Sequence, residues 1–173
     1  LICLFSLQDA GRIIRFAKHD PMTEIRILIV EDEAIVGMHI QSTLHKLGYD
    51  VCGSAKTGED AVRMAAELHP DLLLMDIVLA GPMDGIEAAK IIKQTLSIPV
   101  VYMTGNADVA TISRARDTDP HGYILKPVNI LHLYSMIDTA LHRHKLVRRL
   151  VESEEKYRFI TDKMSDMVWT MDL

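Results

Sequence analysis

The sequence predicts an α/β protein built on an open, doubly wound parallel sheet of five strands, each followed by a helix. Two observations carry this prediction. Short apolar runs at 25–30, 72–75, 100–103 and 123–125 are separated by helix-length amphipathic segments, the pattern of strands buried on both faces. Each of these runs also ends in a polar group: Glu31-Asp32-Glu33, Asp76, Thr104 and Lys126-Pro127. In open parallel sheets ligands sit beyond the carboxyl ends of the strands, so acids, a hydroxyl and an ammonium are expected to converge on one spot.

The elements follow in order. After the first strand, apolar residues at Ile35, Met38, Ile40, Leu44 and Leu47 predict a helix over 34–47 that stops at Gly48. Gly37 lies inside it at a cost of roughly 1 kcal/mol against alanine, a position that close helix packing would explain. The second strand is read over 49–55. Thr57-Gly58-Glu59-Asp60 starts a helix that Pro70 ends, and Asp71 opens the third strand. Asp84-Gly85-Ile86-Glu87 has the form of a capping box leading a helix through Leu96. Ser97-Ile98-Pro99 introduces the fourth strand, and residues 107–116 form a short helix closed by the loop chemistry of Asp117-Thr118-Asp119-Pro120. The arrangement is therefore flavodoxin-like, (βα)5, with strand order 2-1-3-4-5 and right-handed crossovers.

The last helix is predicted to overrun the domain. It starts near Asn129 and its apolar spacing changes phase after Leu141, continuing through Val147, Leu150, Glu154 and Tyr157. A helix to about Ser153 would be roughly 37 Å long. Its projecting part is basic at Arg143, Lys145, Arg148 and Arg149, then acidic at Glu152, Glu154 and Glu155. Apolar spacing that continues where no core remains suits a coiled coil between two subunits. The organisation expected is an N-terminal extension over 1–22, a domain over 23–145, a helical linker over 146–156 and a further start over 157–173. Met22 is read as a natural start, with the residues before it outside the domain.

Composition narrows the function. With 173 residues, 49% hydrophobic and 25% charged, the chain has room for one ordinary domain and a remnant. A net charge of -5 argues against a general nucleic-acid binder. No stretch has the roughly 18 to 20 apolar residues a spanning helix requires. Cys3 and Cys52 lack metal-ligand spacing, which suits a reducing cytoplasm. The eight histidines are scattered and are read as solvated or partly buried side chains. No nucleotide-binding glycine motif of a kinase is present.

At the strand ends, Asp76 directly after Leu-Leu-Leu-Met is hard to tolerate unless it reaches a cation or solvent. A carboxylate cluster suits Mg²⁺, while Lys126 and Thr104 would bind phosphoryl oxygens. At these residues the chain resembles the receiver domain of two-component response regulators over about 24–143. The resemblance rests on Glu31-Asp32, Asp76, Met83-Asp84-Gly85, Thr104-Gly105 and Tyr123-Ile124-Leu125-Lys126-Pro127.

This resemblance implies that Asp76 accepts a phosphoryl group from the phosphohistidine of a histidine kinase or phosphotransfer protein. It implies Mg²⁺ held by Asp32, Asp76 and the Val78 carbonyl, with Glu31 acting through water. Lys126 would pair with Asp76 or its phosphoryl group, and Thr104 with the Gly105 amide would hold phosphoryl oxygens. Thr104 and Tyr123 would switch together, changing the surface of the fourth helix, fifth strand and fifth helix. The Lys126-Pro127 bond is expected to be cis. Val78 and Asn106 stand where the family adjusts phosphoryl lifetime, and valine cannot orient an attacking water.

Residues 152–160, followed by Met167-Val168-Trp169-Thr170-Met171-Asp172, resemble the opening of a PAS-type sensor domain. The expected whole is a cytoplasmic, dimeric phosphoacceptor within a longer signalling protein, a hybrid histidine kinase among the candidates. Two other readings compete with it. A haloacid-dehalogenase-type aspartyl phosphatase would want an aspartate where Val78 stands. A non-phosphorylated dimerisation scaffold would not require the intact acid, threonine and lysine set.

Overall fold

The structure is a computed structural model and describes residues 25–105 and 109–169. Its strands are β1 (Arg26–Val30), β2 (Asp50–Ala55), β3 (Leu72–Asp76), β4 (Val100–Thr104) and β5 (Gly122–Leu125). They alternate with α1 (Ala34–Leu47), α2 (Gly58–Leu68), α3 (Gly85–Thr95), α4 (Val109–Arg116) and α5 (Ile130–Trp169). All pairings are parallel and the sheet order is β2-β1-β3-β4-β5, as the sequence predicts.

Period-two alternation within the strands supplies two cores. Leu28, Val30, Leu73, Met75 and Tyr102 join Ala61 of α2, Ile92 of α3 and Ala115 of α4 on one face. Ile27, Ile29, Leu74, Val101 and Met103 join Ile40 and Leu44 of α1 and Leu133 and Ile137 of α5 on the other. Both faces are covered, so the central strands carry apolar residues at successive positions: β3 and β4 are buried throughout and β1 after Arg26. The strand order reverses between β1 and β3, whose following helices leave to opposite faces. The crevice opened there fixes the site.

Local signals set the boundaries. Gly48 ends α1 in the left-handed region at φ 86°. Thr57 caps α2 by accepting from the Asp60 amide, and Asp84 and Glu87 close the capping box of α3. Gly37 is buried against the Cβ and Cγ of Glu31, not against another helix. In place of the packed helix pair that its glycine suggests, this position backs a site residue.

The last helix departs most from expectation. It runs 40 residues to Trp169, well past Ser153, and spans about 60 Å. No glycine or proline interrupts 130–169, and Arg148 pairs with Glu152 one turn away at 3.2 Å. Residues 167–169 are helical, although the PAS resemblance places them in an opening strand; 170–172 lie outside the described residues. A helix satisfies its backbone hydrogen bonds internally, without a neighbouring strand.

Two histidines far apart in sequence meet where α5 leaves the domain: the rings of His121 and His144 are 5.6 Å apart, edge to face. Burial, with His144 and Arg143 adding, pulls His121 down to about 4. These side chains meet as neutral rings at neutral pH.

Gly85 marks the tightest approach. A Cβ there would overlap the Asp76 carbonyl oxygen, while its amide donates to the Ile77 carbonyl at 3.0 Å. Gly85→Ala should push the start of α3 off the end of β3 and cost about 1 to 3 kcal/mol. Urea unfolding measures this, and an unchanged midpoint would show that the backbone yields freely.

Candidate functional site

Three strand ends meet through one ammonium. Glu31 continues the β1 ladder, its amide donating to the Ala55 carbonyl at 3.0 Å, which directs the side chain inward at 2% exposure. Asp76 closes β3 at 5% exposure, and its Oδ1 accepts from the Val78 amide at 3.2 Å. Lys126 follows β5, and its amide donates to the Thr104 carbonyl at 2.8 Å. Its Nζ lies 2.6 Å from Asp76 Oδ2 and 2.7 Å from Glu31 Oε2. The contact to Glu31 is an ion pair by distance, but no donor is aligned on that oxygen. The Lys126-Pro127 bond is cis, as expected.

Thr104 ends β4 and is buried. Gly105, next to it, is exposed. Tyr123 pairs across the strands with the fully buried Tyr102, their rings stacked at 5.9 Å. Val78 is 73% exposed beside the acid cluster. Asn106 lies outside the described residues.

Electrostatics follow from this packing. Burial raises Glu31 above its ordinary value and the Asp76 charge adds to the rise, while Lys126 opposes it. Burial alone would lower Lys126, but the hydrogen bond to Asp76 and the neighbouring charge of Glu31 overcome it and the net shift is upward. The lysine is therefore held as an ammonium.

Oxygens of Glu31, Asp32 and Asp76 all lie within 4.8 Å of one another. Three carboxylates face one ammonium, so a divalent cation with a preference for hard oxygen donors fits what Lys126 leaves uncompensated. Carboxylates and carbonyls suit Mg²⁺ better than thiolate-seeking metals.

A brace behind the site was not legible in the sequence. Asp84, the cap of α3, also accepts from Arg114 Nη2 of α4 at 2.6 Å. Thirty residues separate the partners, and only the fold brings them together. The bridge from Lys126 to Glu31 was likewise unexpected, since the resemblance assigns the lysine to Asp76 or its phosphoryl group.

An open doubly wound sheet with acids, a buried threonine and a lysine at its switch point defines a signal-receiving α/β module. The chain belongs to the response regulator receiver domain family, whose sequence pattern matches residues 27–138. It is 37% identical over 126 residues to the transcriptional regulatory protein PdtaR of Mycobacterium tuberculosis, covering 72% of this chain and 60% of that protein. It is 31% identical to the response regulator VraR of Staphylococcus saprophyticus, covering 83% and 74%. Among solved structures, the signal receiver domain of a modulated diguanylate cyclase from Desulfovibrio desulfuricans superposes at a TM-score of 0.69 with 40% identity, covering 72% of this chain and 98% of that one. The N-terminal domain of a response regulator/sensory box/GGDEF protein from Carboxydothermus hydrogenoformans gives 0.65 and 36%, covering 70% and 97%. Among the described residues, no helix is long and apolar enough to cross a membrane.

Lys126→Met would leave Glu31 and Asp76 facing each other without a cation. In metal-free buffer at pH 7 the variant should lose about 3 kcal/mol, the effect of stranding buried charge. The loss should shrink as pH falls and Glu31 takes a proton, and millimolar Mg²⁺ should recover part of it. Urea unfolding with chelator and with Mg²⁺ checks both.

Proposed function

We propose that this receiver domain is an active phosphoacceptor in a two-component phosphorelay, with Asp76 as the acceptor. The observation that carries the reading is the Lys126 ammonium held 2.6 Å from Asp76 Oδ2 inside a cluster of three carboxylates. A carboxylate oxygen of Asp76 attacks the phosphorus of a phosphohistidine on a histidine kinase or phosphotransfer protein. The N–P bond breaks, the imidazole leaves with the electron pair and takes up a proton, and an aspartyl phosphate forms. Asp32, Asp76 and the Val78 carbonyl would hold Mg²⁺ directly, with Glu31 behind a water. When bound, the ion neutralises phosphoryl oxygens and lowers the charge barrier to attack. Lys126, Thr104 and the Gly105 amide would hold the same oxygens as donors.

Thr104 and Tyr123 then act as the switch, altering the α4, β5 and α5 surface. The projecting helix is read as a pairing surface for a second copy: Val147, Leu150 and Tyr157 recur at 3-4-3 spacing with Glu154 and are exposed. Residues 23–145 form the receiver, 146–156 the linker and 157–173 the lead into a further, PAS-type module. A structural neighbour that carries a sensory box after its receiver supports this order. The chain spans 60% of the length of its mycobacterial relative. Reading the gene beyond Leu173 tests the module order directly.

Incubation with Mg²⁺ and acetyl phosphate should add one phosphoryl group by intact mass, and Asp76→Asn should abolish the gain. A gain that survives that substitution would remove Asp76 as the acceptor. Because the exposed Val78 side chain cannot position water, self-dephosphorylation should be slow. A half-life of seconds with Mg²⁺ present would contradict this, and introducing Val78→Asn should shorten the half-life.

A further inference from the structure

At the end of the sheet opposite the acid cluster, the turn between α4 and β5 touches the outgoing helix at Arg143 and His144. Asp119 sits in the left-handed region at φ 46°. Its Oδ2 pairs with Lys93 of α3 at 3.2 Å and its Oδ1 lies 3.5 Å from Arg143 of α5. Two residues on, His121 meets His144 of α5. From residue 145 to 158 every side chain of α5 is exposed. A groove of about 350 Å³, lined in part by Ile98, Val147 and Val151, lies beside these contacts and leaves the first free turns of the helix room to move.

The same turn is tied to the aromatic pair of the sheet. Thr118 donates its hydroxyl proton to the Ala115 carbonyl at 2.7 Å. The Tyr102 hydroxyl, 2.9 Å from Thr118 Oγ1, must therefore be the donor in that second bond. The Thr118 carbonyl accepts from Lys93 at 2.9 Å. Tyr102 is fully buried, and its ring is the platform on which Tyr123 stacks. A phenol with one partner in the interior has no substitute for it, so a shift of the ring is felt at the turn.

We propose that Tyr102 and Asp119 are positioning residues that connect the switch to the outgoing helix: Tyr102 ties Tyr123 to the α4–β5 turn, and Asp119 clamps α5 to that turn. The first of these links, from Tyr123 through Tyr102, rests on the phosphoacceptor reading of Asp76; the clamp does not. When Tyr123 shifts, the Tyr102 ring stacked on it is displaced, the hydroxyl withdraws from Thr118, and the turn relaxes its hold on Arg143. The clamp suits this role because exposed ion pairs are weak. A held and a released helix then differ by little, and a modest bias moves the population between them. Two discrete arrangements of one element, biased from a distant site, are what a physical coupling requires.

Hydrogen exchange by mass spectrometry on the full chain tests both halves, with the phosphorylation state read by intact mass in the same samples. Asp119→Asn keeps a residue that tolerates positive φ and removes the charge. It should speed exchange across 142–152 about fivefold without phosphorylation, the scale of one exposed pair, and leave β1 and β3 unchanged. In the wild type, phosphorylation should speed the same amides. Tyr102→Phe keeps the ring stack and should accept the phosphoryl group equally well, yet lose this response. Unchanged exchange in Asp119→Asn overturns the clamp, and a wild type that is phosphorylated without faster exchange, or a full response in Tyr102→Phe, overturns the coupling. If the wild type gains no phosphoryl group, the reading of Asp76 fails instead, and with it the coupling, while Asp119→Asn alone decides the clamp.

Discussion

The ammonium of Lys126 is the point on which the arrangement depends. It brings the ends of β1, β3 and β5 together by pairing with Glu31 and Asp76, and its amide fixes Thr104 at the end of β4. Two carboxylates this deeply buried would repel each other and force protonation without such a partner. With it, the site keeps carboxylate oxygens available for a metal. A single cation therefore ties three strand ends together.

That geometry is available only because both faces of the sheet are covered. Helices α1 and α5 seal one core and α2, α3 and α4 the other, which lets the central strands be apolar throughout and end abruptly in charge. Gly85 lets α3 begin against the Asp76 carbonyl, and the Asp84–Arg114 pair braces that start from α4. The chain after Asp76 is held on two sides while Val78 remains open to solvent.

Strand ends, caps and sheet order were legible in the sequence because they rest on local signals. Apolar runs, the Thr57 and Asp84 caps, and Gly48 act within a few residues of where they stand. Glu31, Asp76, Thr104 and Lys126 could be placed at strand ends for the same reason, whereas Val78 lies two residues beyond β3 and Tyr123 inside β5. The extent of α5 was not legible. Its apolar spacing loses phase after Leu141, yet an uninterrupted run of helix-compatible residues carries it to Trp169, and periodicity measures burial better than it measures helix length.

The sequence by itself determined a doubly wound sheet with acids, a threonine and a lysine at its switch point, since strand pattern and strand-end chemistry are both written along the chain. Only the tertiary structure decided which of those groups touch. Lys126 bridges two acids in place of one, Arg114 reaches Asp84, Thr118 anchors Tyr102, and Asp119 holds α3 and α5 at once. Each of these contacts joins residues well separated along the chain, from 16 positions for Tyr102–Thr118 to 95 for Glu31–Lys126. Their distances are set by how helices pack on the sheet, and no local pattern of residue types encodes that.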